Sequence, residues 1–130
     1  MKQVFLFSLG VLALTLNGCE EDEAPELVNR WKLIEILADP GDGSGQFEPV
    51  ESDKTIEFFA DGTYSSNSSM CYMNSPVDTT NTGTYSSIDS TISAYCGIAP
   101  TLLNYEMVGA NLVINYPCFE PCKEKYVLVD

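Results

Sequence analysis

The sequence predicts an all-β fold, an antiparallel up-and-down barrel of about eight strands. Three observations predict it. Few segments carry the 3.6-residue period of an amphipathic helix. Short runs rich in Val, Ile, Thr, Tyr and Phe recur instead, separated by Gly, Asp, Asn and Pro at fairly regular spacing. Within the runs apolar and polar residues alternate, as on strands with one face in a core and one in water. Eight such strands with short links can close on themselves and leave no free sheet edge.

The first strand is read over 30–38. A short helix over 28–37 is the rival, but Trp31, Leu33, Ile34 and Ile36 suit a strand. Asp39-Pro40-Gly41-Asp42-Gly43-Ser44-Gly45 is a loop. The second strand spans 54–60, with Ile56 and Phe58 opposite in face to Thr55 and Glu57. Asp61-Gly62 signals a type I′ hairpin turn into a third strand at 63–70. Residues 74–82 are polar, contain Pro76 and form a longer loop. The fourth strand, 83–87, turns at Asp89-Ser90 into the fifth, 91–95. The sixth, 102–108, sets Leu103, Tyr105 and Met107 against Asn104 and Glu106. Gly109-Ala110 turns it into the seventh, 111–116, where Leu112, Ile114 and Tyr116 oppose Asn111, Val113 and Asn115. A rigid turn over 117–124 leads to the eighth, 125–129.

The start of the chain has a different character. Lys2 precedes a nearly continuous apolar run over 4–16, too short for a permanent bilayer span but suited to a signal peptide. It ends in Leu16-Asn17-Gly18-Cys19, which resembles the lipobox of bacterial lipoproteins, with Asn17 where a small residue is usual. The resemblance implies cleavage before Cys19 and diacylglycerol on its sulfur. Residues 1–18 are thus read as a leader, 19–27 as a lipidated tether and 28–130 as the folded domain. Glu20-Glu21-Asp22-Glu23 self-repel and stay solvated. An acidic cluster just after the lipidated cysteine also resembles the export signal of surface lipoproteins in the Bacteroidota. The expected location is the outer membrane, lipid-anchored and exposed at the cell surface.

Removing the leader leaves 112 residues with five bases against 19 acids, a net charge of −14. Nucleic acid needs a basic footprint, so it is not an expected partner. An anionic leaflet repels such a domain except through its anchor. The chain contains no histidine. This removes histidine-based nucleophilic triads, the usual general base near neutral pH and most catalytic zinc sites. Carboxylates are numerous enough to pair by chance, so a glycosidase-like couple has no specific support. The expectation is a non-enzymatic monomer without a cofactor or metal.

Besides Cys19, four cysteines remain: Cys71, Cys96, Cys118 and Cys122. An even number in an exported domain reads as two disulfides, with three possible connectivities. Cys118–Cys122 as a local clamp, with Cys71–Cys96 joining two strand ends, is the favoured pair. A four-thiolate zinc site is the rival, without paired Cys-x2-Cys spacing. The loop from Asp39 to Gly45, with Glu48, has the oxygens and glycines of a calcium turn but not the EF-hand spacing. It also reads as a plain connector, or as a lid over the barrel mouth.

Several motifs together resemble a small lipocalin-like domain of Bacteroidota lipoproteins. They are Asn29-Arg30-Trp31-Lys32-Leu33, the loop Asp39 to Gly45, Lys54-Thr55-Ile56-Glu57-Phe58-Phe59-Ala60-Asp61-Gly62-Thr63-Tyr64, and the ending from Pro117 to Val127. The resemblance spans roughly 27–130. It implies that Trp31 plugs one end of the barrel, with Asn29 where lipocalins have glycine. It also implies carriage of a small apolar or amphipathic ligand. Trp31, Phe58, Tyr64, Tyr85, Tyr105 and Tyr116, on predicted strands, are the candidate lining; Tyr126 shares their pattern. The alternative is a barrel filled by these same residues, serving as a surface interaction or structural module.

Overall fold

The computed structural model describes residues 26–129. The expected leader over 1–18, the expected lipidation site Cys19, residues 20–25 and Asp130 lie outside the described residues. The chain forms nine strands: β1 (Arg30–Ala38), β2 (Glu48–Pro49), β3 (Thr55–Phe58), β4 (Thr63–Ser66), β5 (Asn81–Ser86), β6 (Thr91–Tyr95), β7 (Pro100–Val108), β8 (Asn111–Asn115) and β9 (Cys122–Val129).

Every pairing is antiparallel, and the order β1-β3-β4-β5-β6-β7-β8-β9 is closed by a β1–β9 ladder. The result is the closed eight-stranded barrel that the alternation predicts. The addition is β2, which pairs with Glu35 and Ile36 of β1 beyond the reach of β3. Two residues are too few to show a period, so this strand had no sequence signal.

Antiparallel connection sorts the loops to two ends. The proximal end holds the start of β1, the end of β9 and the tight turns β3–β4, β5–β6 and β7–β8. The distal end holds the longer links: 39–54, 67–80, 96–99 and 116–121.

Two local features adjust the predicted strands. At the β3–β4 turn only Gly62 has positive φ, at 87°. A type I′ turn needs positive φ at both central residues, so Asp61-Gly62 does not form one. Phe59 and Thr63 close the turn, and the Asp61 carboxylate accepts hydrogen bonds from the Thr63 amide and hydroxyl instead. In β1 a bulge lies between Leu33 and Glu35. The extra residue shifts the alternation, so Trp31 and Leu33 point inward and Ile36 packs against the core in place of Glu35.

The core is one cluster from every barrel strand. Tyr64 crosses it, its hydroxyl donating to Asn81 Oδ1 at 2.6 Å. Glycine is required at position 83, because a methyl there would collide with the Ser93 carbonyl and the Tyr64 ring.

Candidate functional site

The barrel interior, where the sequence places a pocket, has two chemically distinct halves. Near the proximal end it is aromatic. Phe58 lies edge-on to Tyr85 at 5.1 Å between centroids and tilted against Tyr64 and Tyr105. Trp31 is fully buried and donates its indole N–H to the Leu27 carbonyl at 3.0 Å. The Tyr85 hydroxyl donates to the Phe59 carbonyl and the Tyr105 hydroxyl to that of Ser86. Trp31, Tyr85 and Tyr105 thus find their polar partners in the backbone, and Tyr64 finds its own in the Asn81 side chain.

Near the distal end the interior is polar. Lys54 and Glu124 form an ion pair at 3.1 Å with both side chains 0% exposed. The ammonium has three donors, and three acceptors face it: Glu124 Oε1, the Ser69 carbonyl at 3.1 Å and the Tyr116 hydroxyl oxygen at 3.3 Å. Glu124 Oε1 also accepts from the Asn74 amide at 2.7 Å, while Oε2 accepts from the Tyr116 hydroxyl at 2.6 Å and from that of Tyr126. Every acceptor site of the carboxylate is thereby used. Burial lowers the affinity of Lys54 for its proton, and the adjacent Glu124 carboxylate opposes that effect. Burial also holds the Tyr116 and Tyr126 phenols well above their ordinary pKa, and the nearby carboxylate adds to it.

This network seats a plug. Residues 67–80 turn down into the distal mouth, with Ser68 and Met70 fully buried and Ser75 nearly so. The Ser68 hydroxyl satisfies the Ser75 and Pro76 carbonyls within the loop. Ser69 and Asn74 supply the two backbone groups that meet Lys54 and Glu124. The Cys71–Cys96 disulfide, with 5.7 Å between Cα atoms, fastens the same segment to the end of β6. The second bridge, Cys118–Cys122, clamps the β8–β9 turn. These are the favoured pairings, and they use all four sulfurs.

The six candidate pocket residues are brought together, but as packing. Trp31, Phe58, Tyr64, Tyr105 and Tyr116 are buried, and Tyr85 is half-buried. A void wide enough for a ligand, or even for one water, would leave its walls accessible. Trp31, Ile56, Met70, Ile92, Leu103, Leu112, Ile114 and Tyr126 have no accessible surface. Clefts among the described residues include one at the proximal end, lined by 28–30, 57–60 and 128–129, and one beside 50–53. Phe58 is the one of the six candidates that lines either.

Lys54 and Glu124 were missed as interior residues, although parity marks both. Lys54 is in phase with Ile56 and Phe58, and Glu124 with Tyr126. Beginning the last strand at 125 hid the second. The two groups have no free volume beside them for a reacting molecule, so their chemistry is that of a lock.

The proposed calcium turn is occupied by its own backbone. Asp39 accepts from the amides of Gly41, Gly43 and Gly45, and Asp42 accepts from the amide and hydroxyl of Ser44. These bonds, first that from Gly45, hold the Asp39 carboxyl below its usual pKa, and the Ser44 hydroxyl does the same for Asp42. The link then folds along the barrel wall as β2, with Phe47 under the Lys125 ammonium at 4.1 Å. The mouth is filled by 67–80, not by this loop. Comparisons with protein-family models, characterised proteins and solved structures found no match for this chain.

Proposed function

We propose that this chain is a lipid-anchored, non-catalytic module whose barrel is filled and whose outer surface does the work. One observation carries the reading: the fully buried Lys54–Glu124 pair and the plug it holds occupy the mouth through which a cargo would enter. A carrier of small apolar molecules needs a cavity lined mainly by apolar groups. Here the candidate lining residues spend their surface on one another.

Anchoring through Cys19 and display at the cell surface belong to the same proposal. They rest on the lipobox-like Leu16-Asn17-Gly18-Cys19 and the acidic run behind it. The described chain starts at the proximal end, so a tether there turns the distal end away from the membrane.

Native mass spectrometry of protein gently purified from its own host tests the filled barrel. The expected spectrum shows the polypeptide and its anchor alone. A stoichiometric small molecule retained across preparations would restore the carrier. Cys19→Ser is expected to abolish labelling by a fatty-acid analogue and to move the protein out of the membrane fraction. Protease accessibility on intact cells distinguishes the outer face from the periplasmic one.

A further inference from the structure

The distal rim carries apolar side chains that the core does not use. Tyr72, Tyr95, Ile98, Leu102 and Phe119 are exposed, Ile98 and Phe119 completely. Isolated apolar residues on a surface need no explanation, but a group of them marks an interaction site. Register, the two bridges and the shared distal links group these. Tyr95 pairs with Pro100 and Ser93 with Leu102, so Tyr95 and Leu102 stand diagonally on the outer face of β6 and β7. The Cys71–Cys96 bridge draws Tyr72, next to Cys71, toward Tyr95, next to Cys96. Phe119 lies inside the Cys118–Cys122 clamp, on the turn that leaves β8 beside the start of β7.

The two bridges hold this set in place before any partner arrives, which reduces the ordering cost of binding. The surrounding charge is mainly acidic. Between Lys54 and Lys123 there is no lysine or arginine; Asp78 and Glu120 lie on the distal links that carry the apolar positions, with Lys123 a base at the start of β9. The described ends of the chain lie at the opposite pole, so a tether leaves this rim free.

We infer that the distal rim docks a cationic amphipathic protein segment, one with an apolar face bordered by Lys or Arg. Apolar anchors inside a charged border match the general anatomy of a protein interface. Acidic borders select a basic partner and reject nucleic acid and anionic lipid. The inference rests on the reading of the barrel as a filled display module.

The test uses the mature chain from residue 19 onward, carrying Cys19→Ser so that no bilayer competes. The probe is a synthetic amphipathic Leu/Lys peptide, with a Leu/Glu peptide and an apolar-free Lys/Ser peptide beside it. Titration calorimetry should show binding of the Leu/Lys peptide only, weakening as salt is raised. Ile98→Ser with Phe119→Ser should weaken it by about tenfold or more. Both side chains are fully exposed, so the fold should survive, which near-ultraviolet circular dichroism checks. Asp78→Lys with Glu120→Lys should weaken it independently through charge. Equal binding of the Lys/Ser peptide, or indifference to both pairs of substitutions, would overturn the proposal. So would self-association of the protein, or its binding to anionic phosphatidylglycerol vesicles, if abolished by Ile98→Ser with Phe119→Ser. A small molecule found by native mass spectrometry alongside intact peptide binding would overturn only the filled-barrel reading. An empty spectrum without peptide binding would overturn only the docking site.

Discussion

The two ends of this barrel close the same kind of opening with opposite chemistry. At the proximal end Trp31 and the Phe58–Tyr85–Tyr105 cluster exclude water by packing, and short hairpin turns do the rest. At the distal end an ion pair, two tyrosine hydroxyls and two backbone groups from 67–80 form a hydrogen-bonded lock. Apolar packing tolerates approximate contact and loses stability in proportion to the volume removed. A buried ionic network gives little net stability when whole but costs much when one member is taken away. Among the described residues no buried side-chain polar atom lacks a partner, so this lock is whole.

The largest expected effects test that contrast. Trp31→Ala at the proximal end should cost about 3–5 kcal/mol in urea unfolding. Lys54→Met at the distal end should cost a similar amount, about 3–5 kcal/mol, because the Glu124 carboxylate is left buried without its counter-charge. Adding Glu124→Gln should return part of the second loss, with a coupling of about 1–3 kcal/mol between the sites. Additive losses from Lys54→Met and Glu124→Gln would show that the pair is not a unit.

The disulfides come next. Both sit at the distal end, and loop entropy ranks them. Cys71–Cys96 spans 25 positions and Cys118–Cys122 spans 4. The chain-entropy relation gives about 3.5 kcal/mol for the first and about 2 kcal/mol for the second. Serine pairs at each bridge, compared by thermal unfolding, check the order; a reversal would mean that the short clamp orders more than its own turn.

Alkaline pH should weaken both halves of the barrel. Burial raises the pKa of Tyr64, Tyr116 and Tyr126 above that of an unfolded tyrosine, near 10. The folded state keeps protons that the unfolded state releases. Their contribution is therefore complete below pH 10 and lost as pH rises beyond it. Lys54 has the opposite sign: its lowered folded pKa makes its own contribution rise with pH up to about 10.5. Urea midpoints should hold to about pH 10 and fall steeply above. Tyr64→Phe, which leaves the carboxylate network intact, should reduce that slope. The smallest effect expected is that of Asp39→Ala. It should speed hydrogen exchange at the Gly41, Gly43 and Gly45 amides while barely moving the melting temperature, since the loop lies outside both closures.

Most of the barrel was legible because alternation is a local property. Ile56 with Phe58, Leu103 with Tyr105 and Leu112 with Ile114 each declare their face within three residues, and all six are buried. The plug was only half legible. Tyr64, Ser66, Ser68 and Met70 are all buried, so alternation runs four residues past the last β4 ladder position. The serines among them do not declare a face, however, because burial of a serine depends on hydrogen-bond partners that local alternation does not reveal. The same holds for Lys54 and Glu124, 70 positions apart. Parity points each inward, but the partner that makes burial tolerable becomes visible only when the ring closes. The candidate pocket residues illustrate the converse: sequence identifies inward-facing aromatics but not whether they surround a space or fill it.

The β1–β9 seam has a further consequence, in time. Other barrel ladders join strands that follow one another along the chain, apart from the insertion of β2. The seam joins Arg30 to Val129, 99 positions on. Local hairpins can therefore form early, whereas the ring must await β9, the last of its strands in chain order. β1, the strand that would continue the proposed tether, is also the one that completes the circle, so on that proposal the molecule is anchored and finished along a single edge.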